Sequence, residues 1–260
     1  MRAPALRALG FLSGAEAASA ERSAADPRPA VLSLGRPASL DDRRRRATRE
    51  CRLALASVEA MLADGHVEAP AIAGERTALL YATAAGYAAS NRRFIEGSGG
   101  SIHFAYTAPA VVPAEVAIAF GVTGPYAIFL GGPPATLRAI WQAAILLESG
   151  ACDRALVLAV EIFDECADLF ARMRRLVGRP LVEAAGCLWL EPGRGELVFE
   201  SARGARSRTR GLREEIGETL GCEPLAALDR WRCGAASAPL ELSGHWRGEH
   251  ARLVWRGAPD

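Results

Sequence analysis

A strand that delivers a thiol or hydroxyl to the first turn of a helix makes a strong nucleophile site, because the helix N-terminus stabilises negative charge there. The run Gly124-Pro125-Tyr126-Ala127-Ile128-Phe129-Leu130-Gly131-Gly132-Pro133-Pro134-Ala135-Thr136-Leu137 has the outline of such a corner: a Gly-Pro turn, a short β-rich run, a glycine pair, and a helix that begins on proline. The corner itself, however, holds Pro133 and Pro134. Proline has no thiol, no hydroxyl and no backbone N–H to donate. The sequence describes a nucleophile turn without its nucleophile.

Other residues with chemical potential are scattered. Thr136, Ser149 or a cysteine would need a nearby base to act as a nucleophile, and no such pairing is legible. The histidines are His66, His103, His245 and His250; the last two flank a hairpin turn and do not follow the His-Glu-x-x-His metal pattern. Cys51, Cys152, Cys166, Cys187, Cys222 and Cys233 form neither Cys-x-x-Cys nor a Cys/His spacing. They read as reduced thiols, several of them in the core, in a cytoplasmic protein. Gly97-Ser98-Gly99-Gly100 lacks the strand–helix setting of a phosphate loop. Asp41-Asp42, Asp164-Glu165 and Glu214-Glu215 are acids suited to helix starts. The pattern calls for no metal and no cofactor.

The elements that must hold the corner are those of an α/β sheet. Thr77–Thr83, Tyr126–Leu130 and Arg154–Val160 are short aliphatic runs that alternate with helices, the signature of a mostly parallel sheet covered on both faces. Residues 8–12 are too short an apolar run for a signal peptide and read as an opening strand. Asp41 to Ala63 predicts a helix whose Cys51, Ala54, Leu55, Val58, Met61 and Leu62 form one buried stripe. Pro134–Ser149 predicts a second, with Leu137, Ile140, Trp141, Ala144 and Ile145 on one side. The tail changes character: an Arg/Ser/Gly connector at 203–213, helical signals to Trp231, then Leu240–Leu242 and Ala251–Trp255 as a hairpin.

In this order and spacing the segments resemble the β-ketoacyl synthases of the thiolase-like superfamily, and in particular their short ketoacyl synthase-like N-terminal relatives and the chain-length factors. The resemblance covers residues 5 to 205. It rests on the Gly124–Leu137 run, on Arg7–Ser13, Arg76–Gly86, Phe104–Pro109 with Glu115–Gly121, Leu147–Val157, and Glu183–Glu191. In an active synthase the corner reads roughly Asp-Thr-Ala-Cys-Ser-Ser-Ser-Leu; Leu130 falls on the Asp, Gly132 on the Ala, Pro133 on the Cys and Leu137 on the Leu.

The resemblance implies a thiolase-like N-terminal half domain over residues 1–205, with a five-stranded mostly parallel sheet and helices on both faces. Residues 206–260 would form a helix and hairpin in place of the usual second half, which supplies the histidines of an active synthase. It also implies a non-catalytic subunit that pairs with an active β-ketoacyl-ACP synthase through Tyr126, Ala127, Ile128, Phe129 and Leu130 and helps to close its acyl tunnel. Phe104, Tyr106 and Val112 would be the tunnel-end residues, and acyl carrier protein would be met through the complex. The pathways implied make polyketides or fatty-acid-like polyenes, aryl polyenes among them. Two rival readings remain open: a stand-alone acyl-transferring enzyme, and a module that docks acyl carrier protein on arginines 43–46 or 203–213. A tail this short is expected to leave much apolar surface bare.

Composition narrows the field further. Thirty-one basic residues, all arginine, balance 30 acidic ones to a net charge of +1, so nothing electrostatic points to nucleic acid or a membrane surface. The absence of lysine rules out a Schiff base or a P-loop lysine. No run approaches the ~20 apolar residues of a membrane span.

Overall fold

A computed structural model of the 260-residue chain describes residues 1–15, 31–35, 37, 47–97, 101–163, 180–204, 216–234 and 239–256. Strands β1 (Arg2–Ser13), β3 (Thr77–Thr83), β4 (Tyr126–Leu130), β5 (Arg154–Glu161) and β7 (Ala184–Arg203) build the central sheet. β3 pairs in parallel with β4 on one side and β5 on the other, while β7 runs antiparallel between β5 and β1. Four of the five strands therefore share one direction. The minor pair β2 (Val31–Leu32) and β6 (Leu181–Val182) lies apart.

The described α-helices include α1 (Arg49–Asp64), α2 (Ala88–Ile95), α3 (Val111–Phe120), α4 (Pro133–Glu148) and α5 (Glu223–Cys233). The period-two alternation of the strands divides the core into two faces. Leu79 and Tyr81 of β3, with Leu156, Leu158 and Val160 of β5, pack with α1 and α3. Ala78, Leu80 and Ala82 of β3, with Ala155, Val157 and Ala159 of β5, meet α4 and α5 on the other face. Small side chains on this second face, answered by Ala139, Ala143 and Ala144 of the helix, bring α4 close to the sheet. The expected stripe of α1 is buried as read; the start proposed for that helix, Asp41 to Arg46, lies outside the described residues.

The tail joins the main sheet. β7 continues past β1 and pairs through Glu196–Arg203 with β9 (Glu249–Arg256), which in turn pairs with β8 (Leu240–Trp246), making seven strands. The hairpin turns on Arg247 and Gly248, both at positive φ (47° and 80°). That is the two-residue type I′ geometry, whose twist matches the flanking strands. Its two faces differ. Leu197, Leu240, Leu242, Leu253 and Trp255 turn inward and are buried in the same core cluster as α4. The outer face carries exposed ion pairs, Arg256–Glu196 at 2.9 Å and Arg252–Glu241 at 2.7 Å. Such pairs add little stability, but they mark the face as finished against water. The tail thus covers more than its length suggested.

A buried ion pair ties the distant start of the sheet to α1. Glu183, with a fully buried side chain, accepts from Arg49 and from the N–H groups of Leu34 and Phe163 at 2.8 and 2.7 Å. One carboxylate thereby fixes the α1 start, the loop after β2 and the segment after β5.

Candidate functional site: the corner between β4 and α4

Three parallel strands end together at Thr83, Leu130 and Glu161, and β4 and β5 lie on opposite sides of β3. In open α/β sheets the crevice beyond such carboxyl ends is where ligands bind. The corner sits there. Gly131, at φ 151°, donates its N–H to the carbonyl of Thr83 at 2.9 Å and turns the chain out of β4. Gly132 caps α4, and Pro133 and Pro134 occupy its first turn, all three buried. Two of the four N–H groups that a helix N-terminus normally leaves free are therefore missing. The first N–H after them, on Ala135, is bonded to the Gly132 carbonyl at 2.9 Å.

The tail fills the space in front. The 3-10 turn Leu220–Cys222 lies over the strand ends: the Gly221 N–H donates to Glu161 at 3.0 Å, and the Thr136 hydroxyl donates to the Gly221 carbonyl at 2.5 Å. From the other side comes β8. A Cβ on Gly244 would fall 2.3 Å from the Cβ of Pro133, and a Cβ on Gly132 would fall 2.7 Å from Cδ2 and Cε3 of Trp246. Real Cβ atoms do not approach that closely, so glycine on each side is what permits the contact. The Arg247 guanidinium lies 5.6 Å from the ring centroid of Trp246. Arg138 of α4 pairs with Glu249, which also accepts from Ser201 at 3.0 Å, pinning the hairpin tip over the helix.

Glu161 is the titratable group at this crevice. Its carboxyl is wholly buried and accepts from the N–H groups of Ala84, Ala85 and Gly221 at 2.6, 2.8 and 3.0 Å, with the Thr83 hydroxyl at 3.4 Å. Burial pushes it up to about 8, and these four donors oppose a larger rise. It joins three segments, and the neighbouring Cys222 thiol is raised by burial and by the Glu161 charge. Burial pushes Cys51 up to about 12 and raises Cys152, Cys187 and Cys222, whereas Cys233 is exposed. Cys166 lies outside the described residues. The Ser149 hydroxyl donates to the Leu146 carbonyl. Among the described residues no group of three or more His, Cys, Asp or Glu could hold a metal. No described helix is long and apolar enough to cross a membrane.

The predicted interface strand is one edge of the sheet among the described strands, with β8 at the other. β4 pairs only with β3 among the described strands, Tyr126 and Leu130 are 71% and 59% exposed, and Ala127, Ile128 and Phe129 are partly exposed. Phe104 is exposed and packs on Phe94, with ring centroids 5.4 Å apart; Tyr106 is half-buried. Val112 is buried in the chain's own core beside α1. His245 and His250 face each other across the hairpin, on either side of its turn as read from the sequence. The arginines at 43–46 and 205–213 lie outside the described residues. Sequence reasoning missed Glu161, Gly221, Gly244 and Trp246. A glycine inside an alternating strand pattern, as at 244, is the signal that marked a close backbone approach.

Residues 38–178 match the family model described as the β-ketoacyl synthase N-terminal domain. That is over half of the chain, and the chain belongs to this family. Solved structures share the fold over nearly the full length. The ishigamide ketosynthase/chain length factor is 16% identical with a TM-score of 0.71, covering 98% of this chain and 99% of that one. The ketosynthase ApeO in complex with its chain length factor ApeC from Xenorhabdus doucetiae is 15% identical with a TM-score of 0.65, covering 99% and 100%. The AntDE:AntF complex, a type II polyketide synthase acyl-carrier protein with its ketosynthase, is 14% identical with a TM-score of 0.75, covering 98% and 99%. No curated protein matches the chain by sequence.

Proposed function

We propose that this chain is a non-catalytic, chain-length-factor-like subunit that pairs with an active β-ketoacyl-ACP synthase and helps to shape its acyl tunnel. The observation that carries the reading is the contrast between the two ends of one short segment. Its C-terminal end holds buried Pro133, which the resemblance sets at the family's cysteine position, while β4 just before it is an apolar edge left open by the described strands. A long apolar edge strand invites pairing with another chain. The structures that share the fold include ketosynthase and chain-length-factor complexes, in agreement with such a role. In this reading Tyr126–Leu130 forms the contact, and Phe104 and Tyr106 reach towards the tunnel end with Val112 supporting them from the core. Acyl carrier protein is met through the complex, the assembly works in the cytoplasm, and the products are polyketide- or fatty-acid-like chains, aryl polyenes among them. The tail from 206 onward takes the place of a second half.

The test is co-expression with the ketosynthase encoded beside its gene, purification on a tag carried by that synthase, and analysis of product length. A stoichiometric complex whose product length changes when Phe104 is varied supports the reading. A synthase that purifies alone with full activity and unchanged products overturns it.

A further inference from the structure

We propose that the tail is a built-in occupant of the catalytic crevice, so that this chain's corner is closed to an acyl group by its own backbone and by Trp246, over and above the loss of the nucleophile. The inference is intramolecular and stands whether or not a ketosynthase partner is found.

Three contacts carry it. At the strand ends Gly221 sits where a ligand's polar group would, its N–H on Glu161 and its carbonyl on Thr136. A Cβ at Gly221 would come within 2.6 Å of the Glu161 carboxyl and 3.6 Å of the Gly131 carbonyl, so the turn fills the crevice to contact distance. At the helix start the β8 backbone at Gly244 lies directly on Pro133, and the Trp246 indole lies on Gly132. A side chain at 133 is therefore buried under β8, and an acyl thioester would have to displace the hairpin to reach it. The hairpin is not loosely held: its inner face is part of the α4 core cluster, and Glu249 anchors the tip to Arg138. A cavity of about 90 Å³ beside α4 lies at the opposite end of the helix, lined by Arg2, Ala144, Leu147 and Glu148 among others, and offers no route to the corner.

Thiol accessibility tests this on the full chain. Pro133→Cys introduces a thiol at the motif position, and iodoacetamide labelling is followed residue by residue by mass spectrometry. Exposed Cys233 is the internal fast reference, and buried Cys51, Cys152, Cys187 and Cys222 are the slow ones. The introduced thiol is expected to react at least ~100-fold more slowly than Cys233. In Pro133→Cys/Trp246→Ala it should gain at least ~10-fold in rate while the four buried thiols stay slow, and Pro133→Cys/Trp246→Phe should restore protection. A thiol that reacts as fast as Cys233 in the single variant overturns the proposal. So does a rate that Trp246→Ala leaves unchanged, because Trp246 is then no part of the cover that the proposal assigns to it. Simultaneous reaction of all four buried thiols would mark the double variant as unfolded, and the rate of the single variant against Cys233 then decides.

Discussion

Substituting Gly244 by alanine puts the largest mechanical load on the contact between the hairpin and α4. The new Cβ would stand 2.3 Å from Pro133 Cβ, with the Pro133 carbonyl carbon at 3.2 Å and Cα at 3.3 Å. Carbon atoms in contact sit about 3.5–4.0 Å apart, so one side must retreat by more than ~1 Å. Neither side yields easily. Pro133 is a rigid ring at the buried start of α4, and β8 is held through Leu240 and Leu242 in the same core. Overpacking of this kind costs about 1–3 kcal/mol, and the upper end applies because no flexible side chain can move aside. Replacing a strand glycine by alanine returns roughly 0.5–1 kcal/mol through the unfolded chain. The net expectation is a loss of about 2 kcal/mol, read as a lower urea midpoint and a Tm fall of roughly 4–8 °C. Gly35→Ala, where a Cβ meets nothing within 4 Å, is the control and should stay within ~0.5 kcal/mol of wild type. A Gly244→Ala protein as stable as the control would mean that β8 does not rest on the corner, and the account of a closed site would fail with it.

Four further outcomes are expected. Pro133→Cys should show no condensation or malonyl decarboxylation when assayed alone with acyl and malonyl thioesters, since a condensing site also needs histidines that the resemblance places in a synthase's second half; turnover by the purified protein would refute this. Ala127→Arg, which sets a charge on the β4 edge, should abolish co-purification with the cognate ketosynthase while Arg194→Ala leaves it intact, and a stoichiometric complex from the folded Ala127 variant would move the interface elsewhere. Arg49→Ala removes an ion-pair partner of the buried Glu183 carboxylate and should cost about 3–5 kcal/mol by urea denaturation; a loss under ~1 kcal/mol would show that the remaining partners suffice. The folded Glu161 carboxyl, at about 8, holds a proton that the unfolded chain releases near 4.5, so stability should fall as pH rises between those values, by at most about 1.4 kcal/mol per unit. Glu161→Gln should flatten that slope relative to wild type, and parallel pH profiles for the two proteins would contradict it.

Much of this protein is determined by the sequence alone, because the relevant forces act locally. Short aliphatic runs at 77–83 and 154–160, helical stripes over 51–62 and 137–145, and a Gly-Pro turn before two glycines and two prolines set strands, helices and the corner through backbone sterics and side-chain spacing. Pro133 and Pro134 exclude a nucleophile and remove two donors whatever the fold. The edge position of β4 was readable only through resemblance to a family, since a strand's neighbours are not written in its own residues. What only the tertiary structure decided is the fate of the corner. Leu240–Leu242 and Ala251–Trp255 read as a hairpin around Arg247-Gly248-Glu249, but nothing local says which surface its apolar face will cover. That depends on β7 running on past β1 to receive β9, which brings Gly244 onto Pro133, Trp246 onto Gly132 and Gly221 onto Glu161 across about 60 to 110 residues of sequence. Burial of the Leu240, Leu242, Leu253 and Trp255 face drives that docking, and a non-directional force of this kind selects its surface only when the whole chain is folded.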